Sequence, residues 1–186
     1  MSNDPDKATP DVANLRLRAE RGDADAQWNL GWAYDNGRGV AQDPVQAAAW
    51  WRKAAEQGRA DAQVILGMAC EGGEGVPQDH MQAVRWYRKA AEQGDPDAQF
   101  RLGVAYEKGF GVPQDYVQAA VWYHKAAEQG HTEARYSLGS AYDSGTGVPQ
   151  DHAEAAAWYH KAAEPGPVPA QKKPKTPSEP PHGRLR

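Results

Sequence analysis

The fold is decided by one stretch, residues 102–130, which reads LGVAYEKGFGVPQDYVQAAVWYHKAAEQG. Its features recur every 36 residues along the chain, without an insertion. A Leu-Gly pair begins at Leu30, Leu66, Leu102 and Leu138, and a tryptophan recurs as Trp50, Trp86, Trp122 and Trp158. A fixed period of this length is typical of helical-repeat solenoids. The sequence therefore predicts four copies of one structural unit.

Each copy predicts two helices joined by a glycine-rich connector. In the first copy, Leu30 and Tyr34 follow the spacing of one helix face, and Gly37 ends that helix. Asp43 follows the connector, with Gln46 three residues later, a pattern that predicts a capping box at the start of a second helix. That helix ends at the recurrent glycine Gly58. The sequence thus predicts an all-α fold of helix-turn-helix repeats.

The period and the composition divide the chain into segments. We expect a disordered leader over residues 1–10, an N-terminal capping helix over 11–22 and a right-handed α-solenoid over 23–166. Residues 167–186 are rich in proline and carry a charge of +4, which predicts a disordered tail. The predicted repeats are 23–58, 59–94, 95–130 and 131–166.

The composition argues against several classes of protein. A formal net charge of −4 gives no indication of nucleic-acid binding. The only cysteine, Cys70, excludes an intramolecular disulfide and is expected to lie in the core. The sequence shows neither a secretory signal nor an apolar run of the ~20 residues that a membrane span requires. A cytoplasmic location is therefore expected.

The sequence contains no pattern of residues that predicts catalysis. His124 and His160 occupy a solvent-facing position of the second helices, and His80 and His152 follow the capping aspartates. Their 36-residue spacing separates them by a repeat, whereas a metal site needs several ligands to converge. We expect no enzyme activity, no metal and no cofactor.

The repeated motif resembles the Sel-one-like repeat family, which is related to the tetratricopeptide repeats. The motif is Leu-Gly-x-Ala-Tyr, then Gly-x-Gly-Val-Pro-Gln-Asp, then Trp-Tyr-x-Lys-Ala-Ala-Glu-Gln-Gly, and it covers about residues 23–166. The resemblance implies a bacterial scaffold or adaptor that binds other proteins. It also leaves open an immunity protein that neutralises a secreted toxic effector. A small-molecule binder or hydrolase is a second alternative.

In such a solenoid the first helices are expected to line the concave side, where partners bind. A helical projection of the first copy points Trp28, Trp32, Asp35 and Asp25 away from the packed side of the helix. The residues predicted to bind a partner form three ladders: Trp28, Val64, Phe100 and Tyr136; Trp32, Met68, Val104 and Ser140; and Asp35, Glu71, Glu107 and Asp143.

The ladders predict the chemistry of the partner. An apolar stripe beside carboxylates favours a protein or peptide segment with hydrophobic and basic residues. The alternative is that the apolar residues pack against the next repeat. The recurrent tryptophans and the aromatic residues that follow them are predicted to be core, and the last repeat is expected to expose an edge near Trp158 and Tyr159. The oligomeric state stays open.

Overall fold

The computed structural model describes residues 11–164, which form helices joined by short connectors. The leader and the tail predicted from the sequence lie outside this range. Each helix packs against the next one along the chain, so the predicted all-α solenoid of paired helices is confirmed over the described residues. The helices are α1 Val12–Glu20, α2 Ala24–Asn36, α3 Pro44–Glu56, α4 Ala60–Gly72, α5 His80–Glu92, α6 Pro96–Lys108, α7 Tyr116–Glu128, α8 Thr132–Ser144 and α9 His152–Ala163.

The Gln-Asp pair of each connector joins the two helices of a repeat. In the first repeat, Asp43 accepts the backbone N–H of Gln46 at 3.0 Å and so caps α3. Gln42 donates its side-chain N–H to the carbonyl of Asp35 at 2.8 Å, near the end of α2. The same two bonds recur in the other three repeats. The connector therefore satisfies polar groups at both helix ends.

The capping box expected at these sites is only half formed. The aspartate accepts as predicted, but the backbone N–H of Asp43 donates to the carbonyl of Tyr34 at 2.9 Å. The backbone N–H of Asp43 therefore already has a partner, and the side chain of Gln46 does not bond to it. The corresponding backbone bonds of Asp79, Asp115 and Asp151 show the same arrangement.

A ladder of buried glutamines ties neighbouring repeats together. Gln63 donates its side-chain N–H to the carbonyl of Ala55 at 3.0 Å and accepts a hydrogen bond from Gln93 at 2.8 Å. Gln27 and Gln99 make the equivalent pairs of bonds. In the last repeat Arg135 takes this position and donates to the carbonyls of Ala127 and Lys161. The ladder was missed in the sequence, although the recurrent Asp-Ala-Gln triplet marks it.

Replacing Gln63 by leucine is expected to lower the free energy of unfolding by about 2 kcal/mol. The substitution removes two hydrogen bonds, the one to the carbonyl of Ala55 and the one from Gln93. The carbonyl of Ala55 then keeps the backbone N–H of Gly58, and the side chain of Gln93 keeps the longer bond to the carbonyl of Lys89. Urea denaturation followed by circular dichroism measures the change. Gln46→Leu is the control, because its exposed side chain makes no hydrogen bond within residues 11–164 and its replacement should change stability by less than about 0.5 kcal/mol. Equal losses in the two variants would contradict a role for the ladder.

The recurrent tryptophans are less uniformly buried than the sequence predicted. Trp50 and Trp158 are buried, but Trp86 and Trp122 are half-buried. A lysine three residues later lies over each indole, with its Nζ 3.9–4.4 Å from the ring centroid. The exposed edge expected near Trp158 and Tyr159 is wrong for Trp158, because this ring is buried and packs back against His124 of α7. Tyr159 is half-buried, and its ring lies 5.3 Å from that of Tyr136. Tyr136 is the exposed aromatic residue of the last repeat.

Candidate functional site

The predicted binding residues lie on α2, α4, α6 and α8, and we call the part of them that solvent reaches the first-helix surface. Trp32 and Met68 are its large apolar residues, with exposed fractions of 37% and 38%. Val104 is half-buried at the equivalent position of α6, and Ser140 is exposed on α8. The second predicted ladder is therefore accessible along the described helices. Whether it binds a partner stays a prediction.

The ladder that begins at Trp28 is mainly a packing element between repeats. Trp28 packs against the core cluster of the second repeat, and Val64 belongs to that cluster with an exposed fraction of 7%. Phe100 stacks on His131 of the following repeat at a centroid distance of 4.6 Å. Tyr136 has no following repeat among residues 11–164 and is 63% exposed. The alternative of packing against the next repeat thus describes three of the four positions.

Three tryptophans form an aromatic cluster at the N-terminal end of the surface. The ring centroid of Trp32 lies 5.6 Å from that of Trp28 and 5.4 Å from that of Trp51. The Trp51 ring sits against the backbone at Gly31, where a Cβ would overlap the indole. Its Nε1 is buried and has no hydrogen-bond partner among the described residues. The ring of Trp32 therefore packs on the buried indole of Trp51 and is itself partly exposed to solvent.

The carboxylates of the third ladder have a structural role that the sequence did not reveal. Glu71 accepts the hydroxyl of Tyr87 at 2.5 Å, and Glu107 accepts the hydroxyl of Tyr123 at 2.6 Å. These bonds link the first and second helices of one repeat. These two acids therefore have a role within the repeat, and whether they also bind a partner stays a prediction. In the fourth repeat, Asp143 contacts His152 at 2.8 Å instead. In the first repeat, the residue sixteen positions after Asp35 is Trp51, which has no hydroxyl to donate.

These bonds shift the pKa values of the groups involved. Burial of the hydroxyl raises the pKa of Tyr87 and of Tyr123 well above the usual range, and the hydrogen bond to a glutamate raises it further. Burial alone would raise the pKa of Glu107, but the hydrogen bonds from Lys108 and Tyr123 outweigh it and lower this pKa. Both tyrosines therefore stay protonated donors at neutral pH, and Glu107 stays a charged acceptor.

A second set of acids borders the first-helix surface at the start of each first helix. Asp25, Asp97 and Glu133 have exposed side chains. Arg59 bridges Asp25 and Asp61, and His131 lies within 3.4 Å of both Asp97 and Glu133. The border is therefore acidic with cationic side chains placed between repeats.

A cleft that sequence reasoning missed lies on a second helix. It has a volume of about 540 Å³, and we call it the α5 cleft. Met81, Arg85, Trp86 and Lys89 of α5 line it, together with Val112 of the next connector. The signal in the sequence is Arg85, since the matching residues of the other repeats are Ala49, Val121 and Ala157.

The described residues give no indication of a metal centre or a reactive thiol. Within residues 11–164, no three His, Cys, Asp or Glu side chains converge as metal ligands would. Cys70 is buried, as predicted, and burial raises the pKa of its thiol. None of the helices in this part of the chain has the length and apolar character needed to cross a membrane.

Comparison with solved structures gives relatives of the same fold. A Sel1 repeat protein from Oxalobacter formigenes is 38% identical, with a TM-score of 0.81, and the match covers 84% of this chain and 65% of that one. The protective antigen c5321 of uropathogenic Escherichia coli, described as displaying an SLR fold, is 47% identical with a TM-score of 0.80. That match covers 83% of this chain and 33% of the antigen, so this chain spans about a third of its length.

The comparison with curated proteins found no match. The family model described as Sel1 repeat matches residues 24–58, 60–95, 96–131 and 132–166. These segments contain the glutamine ladder, the connector bonds and the first-helix surface. The chain therefore belongs to the Sel1 repeat family.

Proposed function

We propose that this protein is a non-enzymatic scaffold or adaptor that binds a segment of a partner protein on its first-helix surface. The observation that carries the proposal is the exposure of Trp32 and Met68 at equivalent positions of neighbouring repeats. Large apolar side chains that recur on one exposed surface of a folded protein are typical of interaction sites. Solenoids use such extended surfaces to bind partners. The proposed location is the cytoplasm.

The packing around Trp32 suits an anchor residue of an interface. Its ring leans on the buried indole of Trp51 at a centroid distance of 5.4 Å, so its position is largely fixed before binding. A rigid aromatic side chain loses little conformational entropy when a partner covers it. Tryptophan is also among the residues that contribute most to binding energy at interfaces.

The acidic border favours a partner segment with basic residues beside its apolar ones. Asp25, Asp97 and Glu133 place carboxylates in solvent at the beginning of three first helices. Complementary charges at the rim of an interface mainly increase the association rate and the specificity. The apolar contact would supply most of the affinity, and the border would select a basic segment.

The test is affinity capture with the full chain from its native host, followed by mass spectrometry and by titration of the captured partner. Trp32→Ala combined with Met68→Ala should weaken binding by about thirtyfold or more, because hot-spot truncations cost about 2 kcal/mol. Leu17→Ala is the matched control, since Leu17 is exposed on α1 and lies outside the ladders. Unchanged affinity in the double variant would overturn the proposal.

The other functions predict different outcomes of the same experiment. An immunity protein would capture a toxic effector and protect cells that express that effector. A small-molecule binder would capture no protein, and a ligand would raise its melting temperature instead. Either result would replace the scaffold proposal.

A further inference from the structure

The α5 cleft is a second candidate surface, on helices that the first-helix surface does not use. Its apolar part consists of Met81, the half-buried ring of Trp86 and the half-buried Val112. Met81 is 60% exposed, and Val45 and Val117 at the equivalent positions of α3 and α7 are 62% and 58% exposed. An apolar residue thus stays in solvent at the start of three successive second helices. Of these three residues, Met81 lines the cleft.

The cleft is cationic on a chain whose formal net charge is −4. Arg85, Arg88 and Lys89 line it, against the single carboxylate of Glu92. Arg88 donates a hydrogen bond to the hydroxyl of Tyr106 at 2.8 Å, and the Nζ of Lys89 lies 4.4 Å from the centroid of Trp86. Arg85 makes no hydrogen bond or ion pair within residues 11–164. Its guanidinium is therefore available to an external carboxylate.

The fold does not require the charge at Arg85. The first and fourth repeats carry alanine at this position and the third carries valine, and all of them form the same pair of helices. The arginine is exposed, so it contributes no core packing. By contrast, the lysine over each of the recurrent tryptophans is present in all four repeats and belongs to the common architecture. The additional cation thus distinguishes the second repeat.

We propose that the α5 cleft binds an acidic segment of a protein partner that carries one large apolar side chain. The apolar side chain would pack between Met81, Trp86 and Val112, and carboxylates on either side of it would pair with Arg85 and Lys89. Arginine binds a carboxylate through two parallel hydrogen bonds, which gives such a contact direction as well as charge. The cleft and the first-helix surface would then select segments of opposite charge.

The charge distribution favours an acidic peptide over a nucleic acid. Nucleic-acid binding depends on many phosphate contacts spread along a basic surface. Here three cations surround one cleft, and the N-terminal ends of the first helices carry exposed acids that would repel a long phosphate backbone. A compact segment with a few carboxylates matches the extent of the charge.

Selection from a phage library of random dodecapeptides against the full chain tests the proposal. We expect a class of peptides that combines acidic residues with one aromatic or large aliphatic residue. In fluorescence-polarisation titrations, Arg85→Glu should weaken binding of a synthetic member of this class by at least about tenfold. Met81→Glu should weaken it similarly, because it places a charge in the apolar part of the cleft. Arg52→Glu, at an exposed position of α3 outside the cleft, is the matched control for charge.

Three outcomes would overturn the proposal. The selection yields no acidic class, or that class binds Arg85→Glu as well as the wild type, or a single-stranded oligonucleotide binds the cleft and loses affinity with Arg85→Glu in place of the peptides. The variant with alanine at Trp32 and Met68 separates this proposal from the scaffold proposal. It should keep the acidic peptides and lose only the partner of the first-helix surface.

Discussion

Replacing Gly111 by alanine is expected to lower the free energy of unfolding by about 3 kcal/mol, from steric overlap and backbone strain together. Gly111 has a φ of 70°, a conformation that residues with a side chain rarely adopt. A Cβ at this position would overlap the carbonyl oxygen of His80 and lie 2.8 Å from the backbone N of Met81. Both neighbours are backbone atoms at the start of α5, so no side chain can move aside.

Gly94→Ala is the matched control for this substitution. Gly94 has a φ of 90°, but a Cβ there would meet no atom within 4 Å. It should therefore lose only the conformational part, about 1 kcal/mol. Urea denaturation of both variants measures the difference. Equal losses would show that the contact between the connector and α5 contributes nothing to stability.

The close backbone contact at Gly111 recurs at equivalent positions between other repeats. The second connector glycine of the following repeat, Gly147, meets the backbone of Tyr116 and Val117 in the same way, and Gly75 meets that of Pro44 and Val45. The connectors of the second, third and fourth repeats thus rest on the first turn of the preceding second helix. The glycine is required by the contact between repeats as well as by the turn. This also explains why Val112 reaches the α5 cleft.

The repeat architecture could be predicted because its signals are local and occur four times. The capping aspartates, the terminal glycines and the aromatic pairs each act within one repeat, and the period fixes their relative order. The accessibility of Trp28 could not be predicted, because a projection of one helix does not show which side the next repeat covers. Trp28 and Trp32 both project away from Leu30, yet Trp28 is half-buried against the next repeat and Trp32 stays exposed.

The hydrogen bonds of polar side chains between helices also could not be predicted from the sequence. Glu71 and Glu107 lie near the C-terminal ends of their helices, where a carboxylate gains nothing from the helix dipole, so a structural reason for them was not evident. The reason is the tyrosine hydroxyl sixteen residues later. Similarly, a helical projection places Gln27 on the packed side of α2, where it is buried, but only the packing of one repeat on another shows that it bonds to the carbonyl of Ala19.

Replacing Trp51 by alanine is expected to have the largest effect on stability, a loss of about 4 kcal/mol. The ring is buried, it fills the space above Gly31, and it supports the rings of both Trp28 and Trp32. Its removal leaves a cavity that the backbone at Gly31 cannot fill. Denaturation of the variant in urea measures the loss.

The loss should be concentrated in the first repeat. In a solenoid each repeat is stabilised by its own packing and by its immediate neighbours. Hydrogen exchange should therefore show that amides of α2 and α3 lose protection while those of α8 and α9 keep it. A uniform loss over all helices would mean that the array unfolds as a single cooperative unit.

Trp32→Ala, measured beside Trp51→Ala, decides whether the exposed indole is free to bind. Trp32 contacts the same cluster but keeps 37% of its surface in solvent, so its removal should cost only about 1–2 kcal/mol. The exposed indole would then contribute much less to stability than the buried one of Trp51, so stability alone would not account for a tryptophan at position 32. The scaffold proposal requires this difference between the two variants. If Trp32→Ala were as destabilising as Trp51→Ala, Trp32 would be a core residue, and a loss of binding in its variant would report only unfolding of the first repeat.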